Sequence, residues 1–188
     1  VLAAGEFSSA GAAGVVSPPH GNDAHQPAFA VPLTNTFSSR EARMVAKADV
    51  RKFFKAYEEI YNDAIADTAD LNDVADMYSA GFVSVTPAAV MVGENGEQLK
   101  AIMTKGFEAY RALGSKRMTC VDVSVMPIDQ DHCVAEVNWS GDYERKDGSL
   151  VTIDFAINYL VEKRDGKLKV FGWISGDEQA EFRKHGLL

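Results

Sequence analysis

The chain has 188 residues, 46% of them hydrophobic, and a formal net charge of -8. That length makes one domain with room for a tail, and that apolar content is enough for a core. The acidic balance excludes a general phosphate-backbone binder, which needs clustered Lys and Arg, and no apolar run approaches the roughly 18 residues of a membrane span.

Residues 1–37 are rich in Ala, Gly, Ser and Pro and show no periodicity, the composition of a flexible arm. They lack the basic start and continuous apolar stretch of a signal peptide. If ordered, such an arm is expected to drape over a neighbouring subunit, leaving 38–188 as the folded domain. Ser38-Ser39-Arg40-Glu41 has the form of a capping box and predicts a first helix over residues 39–66. Within it Val50, Phe53, Phe54, Tyr57, Ile60, Tyr61 and Ala64 recur at i, i+3, i+4, i+7, while Lys52, Lys55, Glu58, Glu59 and Asp63 take the wet side. Phe53 and Phe54 read as core. Tyr57 and Tyr61 either join them or turn a hydroxyl into a cavity, because a buried phenol needs a partner.

Asp70 can cap a short helix over 71–79, which Gly81 ends. Residues 82–86 form a β-branched strand stopped by Pro87, and a second strand over 90–92 ends at Gly93. Asn95 with Gln98 signals another helix, carrying Leu99, Ile102, Met103, Phe107, Tyr110 and Leu113, with Gly114 as its C-cap. The period then changes. Residues 118–128, 133–144, 150–162 and 167–175 read as strands joined by hairpins, two of the turns carrying Asp-Gly. Helices followed by an antiparallel meander define an α+β domain with helices on one face of a curved sheet. Ile153, Phe155, Ile157, Tyr159 and Val161 alternate with Asp154, Ala156, Asn158 and Leu160. The strands read as apolar on both faces, and an apolar second face predicts a subunit interface, most simply a twofold dimer.

Cys120 and Cys133 form no metal motif and are not expected to face each other, which favours a reducing, cytoplasmic setting over a disulfide. His20 and His25 lie in the arm, His132 at a turn and His185 near the C-terminus. Neither a histidine base nor a metal cluster is expected, and no cofactor.

Met77-Tyr78, Thr86-Pro87, Glu97-Gln98-Leu99, Asn138-Trp139-Ser140-Gly141 and Ile157-Asn158 with Asp165-Gly166 follow one another at a recognisable spacing. With helix, short helix and meander around them, they resemble the nuclear transport factor 2 / SnoaL-like superfamily, nearest in pattern to its ketosteroid isomerase-like members. The likeness runs over roughly residues 48–177. It implies a cystatin-like cone, a homodimer through the outer sheet face, and a pocket for a small apolar molecule. Where those isomerases keep a general-base aspartate before the strand-ending proline, this chain has Thr86. Their oxyanion tyrosine corresponds to Tyr57 or Tyr61, and their protonated aspartate to Asn158, whose amide can still donate a hydrogen bond.

The same matching places Trp139, Asp154, Phe171, Trp173 and Ser175 on the concave face, with Thr86 and Met103 lining the pocket. Asp154 is then either a desolvated base or a solvated residue at the cone mouth. Trp139 and Trp173 either stack on a ligand or fill the cone. Three functions follow: a cofactor-free isomerase, lyase or cyclase with Asp154 as base and Asn158 and Tyr57 or Tyr61 as donors; a non-catalytic binding protein; or an oligomerisation module, favoured if the cone is filled.

Overall fold

The computed structural model describes residues 45–188, so the arm over 1–37 and the capping box at 38–41 lie outside the described residues. The elements run α1 (Lys47–Ile65), α2 (Leu71–Asp76), β1 (Tyr78–Val85), β2 (Val90–Glu94), α3 (Glu97–Ala112), β3 (Ser115–Pro127), β4 (His132–Glu144), β5 (Leu150–Arg164), β6 (Lys167–Ile174) and α4 (Glu178–Lys184). One six-stranded sheet has the order β2-β1-β6-β5-β4-β3. Neighbours pair antiparallel except β1 with β6, which run parallel. The sheet curves over the helices, an α+β cone. Among the described residues no helix is long and apolar enough to cross a membrane.

The apolar stripe of α1 is buried as its spacing predicts, through Val50, Phe54, Tyr57, Tyr61 and Ala64. Its other side is not simply wet. Arg51, Lys55, Glu58 and Asn62 lie about a turn apart and reach the backbone of β3, the last strand of the sheet. Arg51 Nε donates to the Val123 carbonyl at 3.2 Å and Lys55 Nζ to the Cys120 carbonyl at 2.6 Å. The Cys120 N–H donates to Glu58 Oε2 at 2.8 Å, and Asn62 both gives to and accepts from the Met118 backbone, each at 2.8 Å. These side chains satisfy a strand edge that would otherwise be open.

The period-2 alternation of the long strands decides what faces the helices. Cys133, Ala135, Val137, Trp139 and Tyr143 of β4, and Ile153, Ile157, Tyr159 and Val161 of β5, are buried against them. The intervening residues take the outer face. There, one register row crosses all six strands: Met126, Val134, Leu160, Gly172, Val83 and Val92. The row is apolar throughout, and Met126 and Val92 at its ends are 62% and 85% exposed.

Two sequence expectations shift at the start of the sheet. The short helix, capped by Asp70 at the Asn72 N–H (2.8 Å), ends at Asp76 instead of running to residue 79. Tyr78 pairs with Val170 of β6, and that sheet pairing overrides helix continuation. Gly81 sits inside β1, opposite Glu94, not at a helix end. Gly114 follows α3 with φ +85° and passes so close to β4 that a Cβ there would lie 2.0 Å from the Glu144 carbonyl oxygen.

Candidate functional site

The interior of the cone is packed with rings. Tyr57 touches Tyr78, Trp139 and Tyr159, and Trp173 stacks on Phe82 at 5.4 Å. The gap left among Tyr57, Ile60, Tyr61, Val74, Met77, Tyr78 and Phe107 has a volume of about 10 Å³. That is about one water molecule's worth of space. The concave centre is a core.

A larger space opens at the end of the sheet. β6 pairs with β5 only from Asn158 onward, and its last residue, Ile174, stands opposite Asn158. β5 itself begins eight residues earlier, at Leu150. Beyond Ile174 the chain turns through Ser175 and Gly176, and Asp177 caps α4 by accepting from the Ala180 N–H at 2.9 Å. Between α4 and residues 153–157 lies a cleft of about 340 Å³. Ile153, Phe155, Ile157 and Phe182 give it apolar walls, and Asp154, Ser175, Asp177, Glu178, Glu181 and Lys184 supply polar groups. Phe182 is buried and packs on Tyr110 and Tyr143 at ring distances of 6.3 and 5.6 Å, so the cleft floor rests on the aromatic core.

Glu178 is the group that stands out. Its residue surface is partly covered, and the carboxylate is the buried end. Tyr110 Oη donates to Oε1 at 2.7 Å and to Oε2 at 2.8 Å. Burial pushes the carboxyl up from 4.5 to about 7, against the pull of the Tyr110 hydrogen bond in the other direction. Its charge in turn helps raise the phenols of Tyr61, Tyr110 and Tyr143, for each of which burial is the larger cause. The Tyr61 and Tyr143 hydroxyls and Ser175 Oγ are buried without a hydrogen-bond partner among the described residues.

The residues expected from the sequence are scattered by comparison. Asp154 and Asn158 are not on the concave face. The inward set is the odd-numbered one, Ile153 to Val161, so both polar residues must point outward, beside Ser140 and Glu136 respectively. Asp154 is exposed and accepts from Ser140 Oγ at 2.6 Å. Phe171 also leaves the concave face: it is the extra residue of a β-bulge in β6, and its ring meets that of His132 edge-on at 5.9 Å. Thr86 is spent on the β1–β2 turn, where its hydroxyl accepts from the Ala89 N–H at 3.2 Å.

Tyr57 donates to or accepts from Tyr78 at 2.5 Å, hydroxyl to hydroxyl. The Tyr159 hydroxyl lies near Tyr57 and Trp139 without completing a hydrogen bond to either. Tyr61, Met103, Trp139 and Trp173 are buried core. Of the expected residues, Asp154 and Ser175 line the cleft, from its outer rim and its wall. Glu178, Tyr110 and Phe182 were not anticipated as a site, and α4 was not anticipated as a helix. A signal existed: Asp177 as N-cap, acidic residues in the first turn, Arg183 and Lys184 in the last, and Gly186 just beyond.

A curved, largely antiparallel sheet closed over helices, with a filled centre and a cleft at one end, defines a cystatin-like α+β protein. The chain belongs to the family described as NTF2-like protein (DUF6841), which it matches over residues 47–178. Similar solved structures include an NTF2-like protein with a cystatin-like fold from Novosphingobium aromaticivorans, at 12% identity and TM-score 0.53, covering 76% of this chain and 88% of that one. A ketosteroid isomerase-like protein from Erwinia carotovora atroseptica matches at 16% identity and TM-score 0.51, over 69% and 93% of the two chains. A putative calcium/calmodulin dependent protein kinase II association domain from Xanthomonas campestris matches at 19% and 0.51, over 68% and 84%. Identities this low establish a shared fold alone. No curated protein matches.

Proposed function

We propose that the cleft between β5 and α4 binds a small molecule with an apolar body, and that Glu178 exchanges protons with it. The observation that carries this reading is a buried carboxyl titrating near pH 7 on the wall of a 340 Å³ cleft. A group at that pKa is present in both forms at neutral pH, so it can take a proton from a bound molecule and return it. Tyr110 supports the ionised form by donating to it. A single residue that removes and restores a proton suffices for an isomerisation or elimination without a cofactor, in keeping with the name of the Erwinia neighbour. The base expected at Asp154 is replaced in this reading by Glu178.

Native mass spectrometry of the purified full chain, followed by denaturing extraction, tests the cleft. Gly176 lines it, and a Cβ there meets nothing within 4 Å, so Gly176→Phe fills the space without backbone strain. A small apolar molecule bound to the wild type and lost in Gly176→Phe is the expected result. Uptake that survives this substitution, or no uptake from a library of small apolar compounds, overturns the reading.

A second reading concerns assembly. The apolar row from Met126 to Val92 across the outer face supports a twofold homodimer through that face. The Xanthomonas neighbour carries the word association in its name.

A further inference from the structure

The two edges of the sheet are finished differently. On β3, side chains of α1 reach the outward backbone groups from Met118 to Val123. On β2 no side chain does so among the described residues. Ala89 and Thr86 exchange hydrogen bonds at 2.9 and 3.3 Å, and the Asn95 N–H donates to the Ala80 carbonyl at 2.7 Å. The antiparallel alternation between them turns Met91 and Gly93 toward β1 as well. The N–H and C=O groups of Val90, Val92 and Glu94 therefore lie along the open edge. Val90 is 69% exposed and Val92 85%. The strand reads Val-Met-Val-Gly-Glu, with no lysine or proline to guard it, and its register with β1 is unbroken. Those are the devices that keep an edge from pairing.

We infer that β2 pairs edge to edge with β2 of a second copy of this chain, antiparallel about a twofold axis through Val92. Val92 then faces the partner's Val92, and Val90 faces the partner's Glu94. Each facing pair exchanges both of its hydrogen bonds, so every outward group of the strand is used. Charge selects this arrangement. Glu94 is the one ionisable residue of β2. The twofold sets the two Glu94 side chains about 14 Å apart, whereas parallel pairing in register would place them side by side. The apolar row of the outer face ends at Val92, and the twofold continues it into the partner's row. A five-residue strand makes a small contact, weak and concentration-dependent. It leaves the outer face free for the pairing of copies face to face.

Disulfide trapping in the full chain tests the inference, with Val92→Cys and Val90→Cys oxidised separately by copper-phenanthroline. Both positions are exposed, and the native Cys120 and Cys133 are buried, so a cross-link reports the introduced thiol. The twofold brings Val92 to about 5.5 Å from its own copy, Cα to Cα, within disulfide reach. It keeps Val90 about 14 Å from its own copy. A covalent dimer from Val92→Cys and little from Val90→Cys is expected. Equal yields from the two, or none from Val92→Cys, overturn the pairing. Hydrogen exchange of the unmodified chain is the second readout. The amides of Val90, Val92 and Glu94 are expected to exchange more slowly as protein concentration rises. In Val92→Pro, which removes a donor the fold does not use, Val90 and Glu94 are expected to lose that slowing. Exchange that is independent of concentration means that the edge stays open or is held by its own chain, and the inference falls.

Discussion

The Tyr110 hydroxyl bridges both carboxylate oxygens of Glu178, at 2.7 and 2.8 Å. The bond favours the ionised carboxyl, so it holds down a pKa that burial has raised to about 7. Removing the donor in Tyr110→Phe is expected to move the Glu178 pKa further upward. Titration of the side-chain carboxyl by carbon-detected NMR reads this directly, and an unchanged or lowered value contradicts the assigned roles.

The same carboxyl ties stability to pH. Its folded pKa lies above the value of 4.5 for an ordinary glutamate, so the native state binds the proton more tightly than the unfolded chain. The resulting stabilisation is fully present below about pH 4.5 and is lost as pH rises through about 7, amounting to at most about 3 kcal/mol. Glu162, with its lowered pKa, acts in the opposite sense and only at more acid pH. Urea midpoints measured from pH 4.5 to 8 should fall for the wild type and stay level for Glu178→Gln. A wild-type profile as flat as the variant's would rule out the raised pKa.

Glu162 is buried at the other end of β5 and holds its charge through partners. Desolvation raises its pKa, but the hydrogen bond from Ser79 Oγ (2.6 Å) and those from Arg164 (2.8 and 3.1 Å) outweigh it and leave the group below its ordinary value. Ser79 is itself buried, whereas the Arg164 side chain is 69% exposed. Ser79→Ala is therefore expected to cost about 1–3 kcal/mol, and Arg164→Met under about 1 kcal/mol. Thermal or chemical denaturation giving the reverse order contradicts this assignment.

Asn62 closes two backbone groups of Met118 on the edge strand β3. Asn62→Ala leaves both without that partner, and a loss of about 1–3 kcal/mol is expected. An edge freed in this way is also a template for strand pairing between molecules. Faster light scattering on gentle heating should accompany the lower denaturation midpoint. A variant as stable as the wild type shows that water serves the edge equally well.

The outer apolar row makes its own prediction. Leu160 sits in the middle of the sheet face, between Val134 and Gly172. If the face joins two copies, Leu160→Lys shifts sedimentation from dimer to monomer while leaving the circular dichroism unchanged. A wild type that is monomeric at high concentration removes the assembly reading without touching the cleft.

Periodicity carried much of the fold. The stripe of α1, the Asp70 cap and the Asp-Gly hairpins were legible because each is a local pattern with a local cause. The facing of β5 was legible too, since Ile153, Ile157 and Val161 share one parity. The likeness to the isomerases put Asp154 and Asn158 on the inner face against that parity, and the register reversed it. The length of β1 was not legible, because Tyr78 is held in the sheet by a strand almost a hundred residues later. The cleft was hidden for the same kind of reason. It depends on where β6 stops relative to β5, and on Phe182 of α4 reaching Tyr110 and Tyr143 of distant elements.

That stopping point gives the molecule an aperture governed by residue count. β6 closes the β5 edge as far as Asn158 and no further. Two more paired residues on β6 would zip along residues 157 and 156 and carry α4 over the opening. The rings of Trp173 and Tyr159 would keep their places against α1, while Phe182 would be drawn from its seat on Tyr110 and Tyr143. Insertions and deletions in the short turn around Gly176 can therefore resize the cleft without repacking the filled cone, at a cost set by how far Phe182 is drawn from Tyr110 and Tyr143.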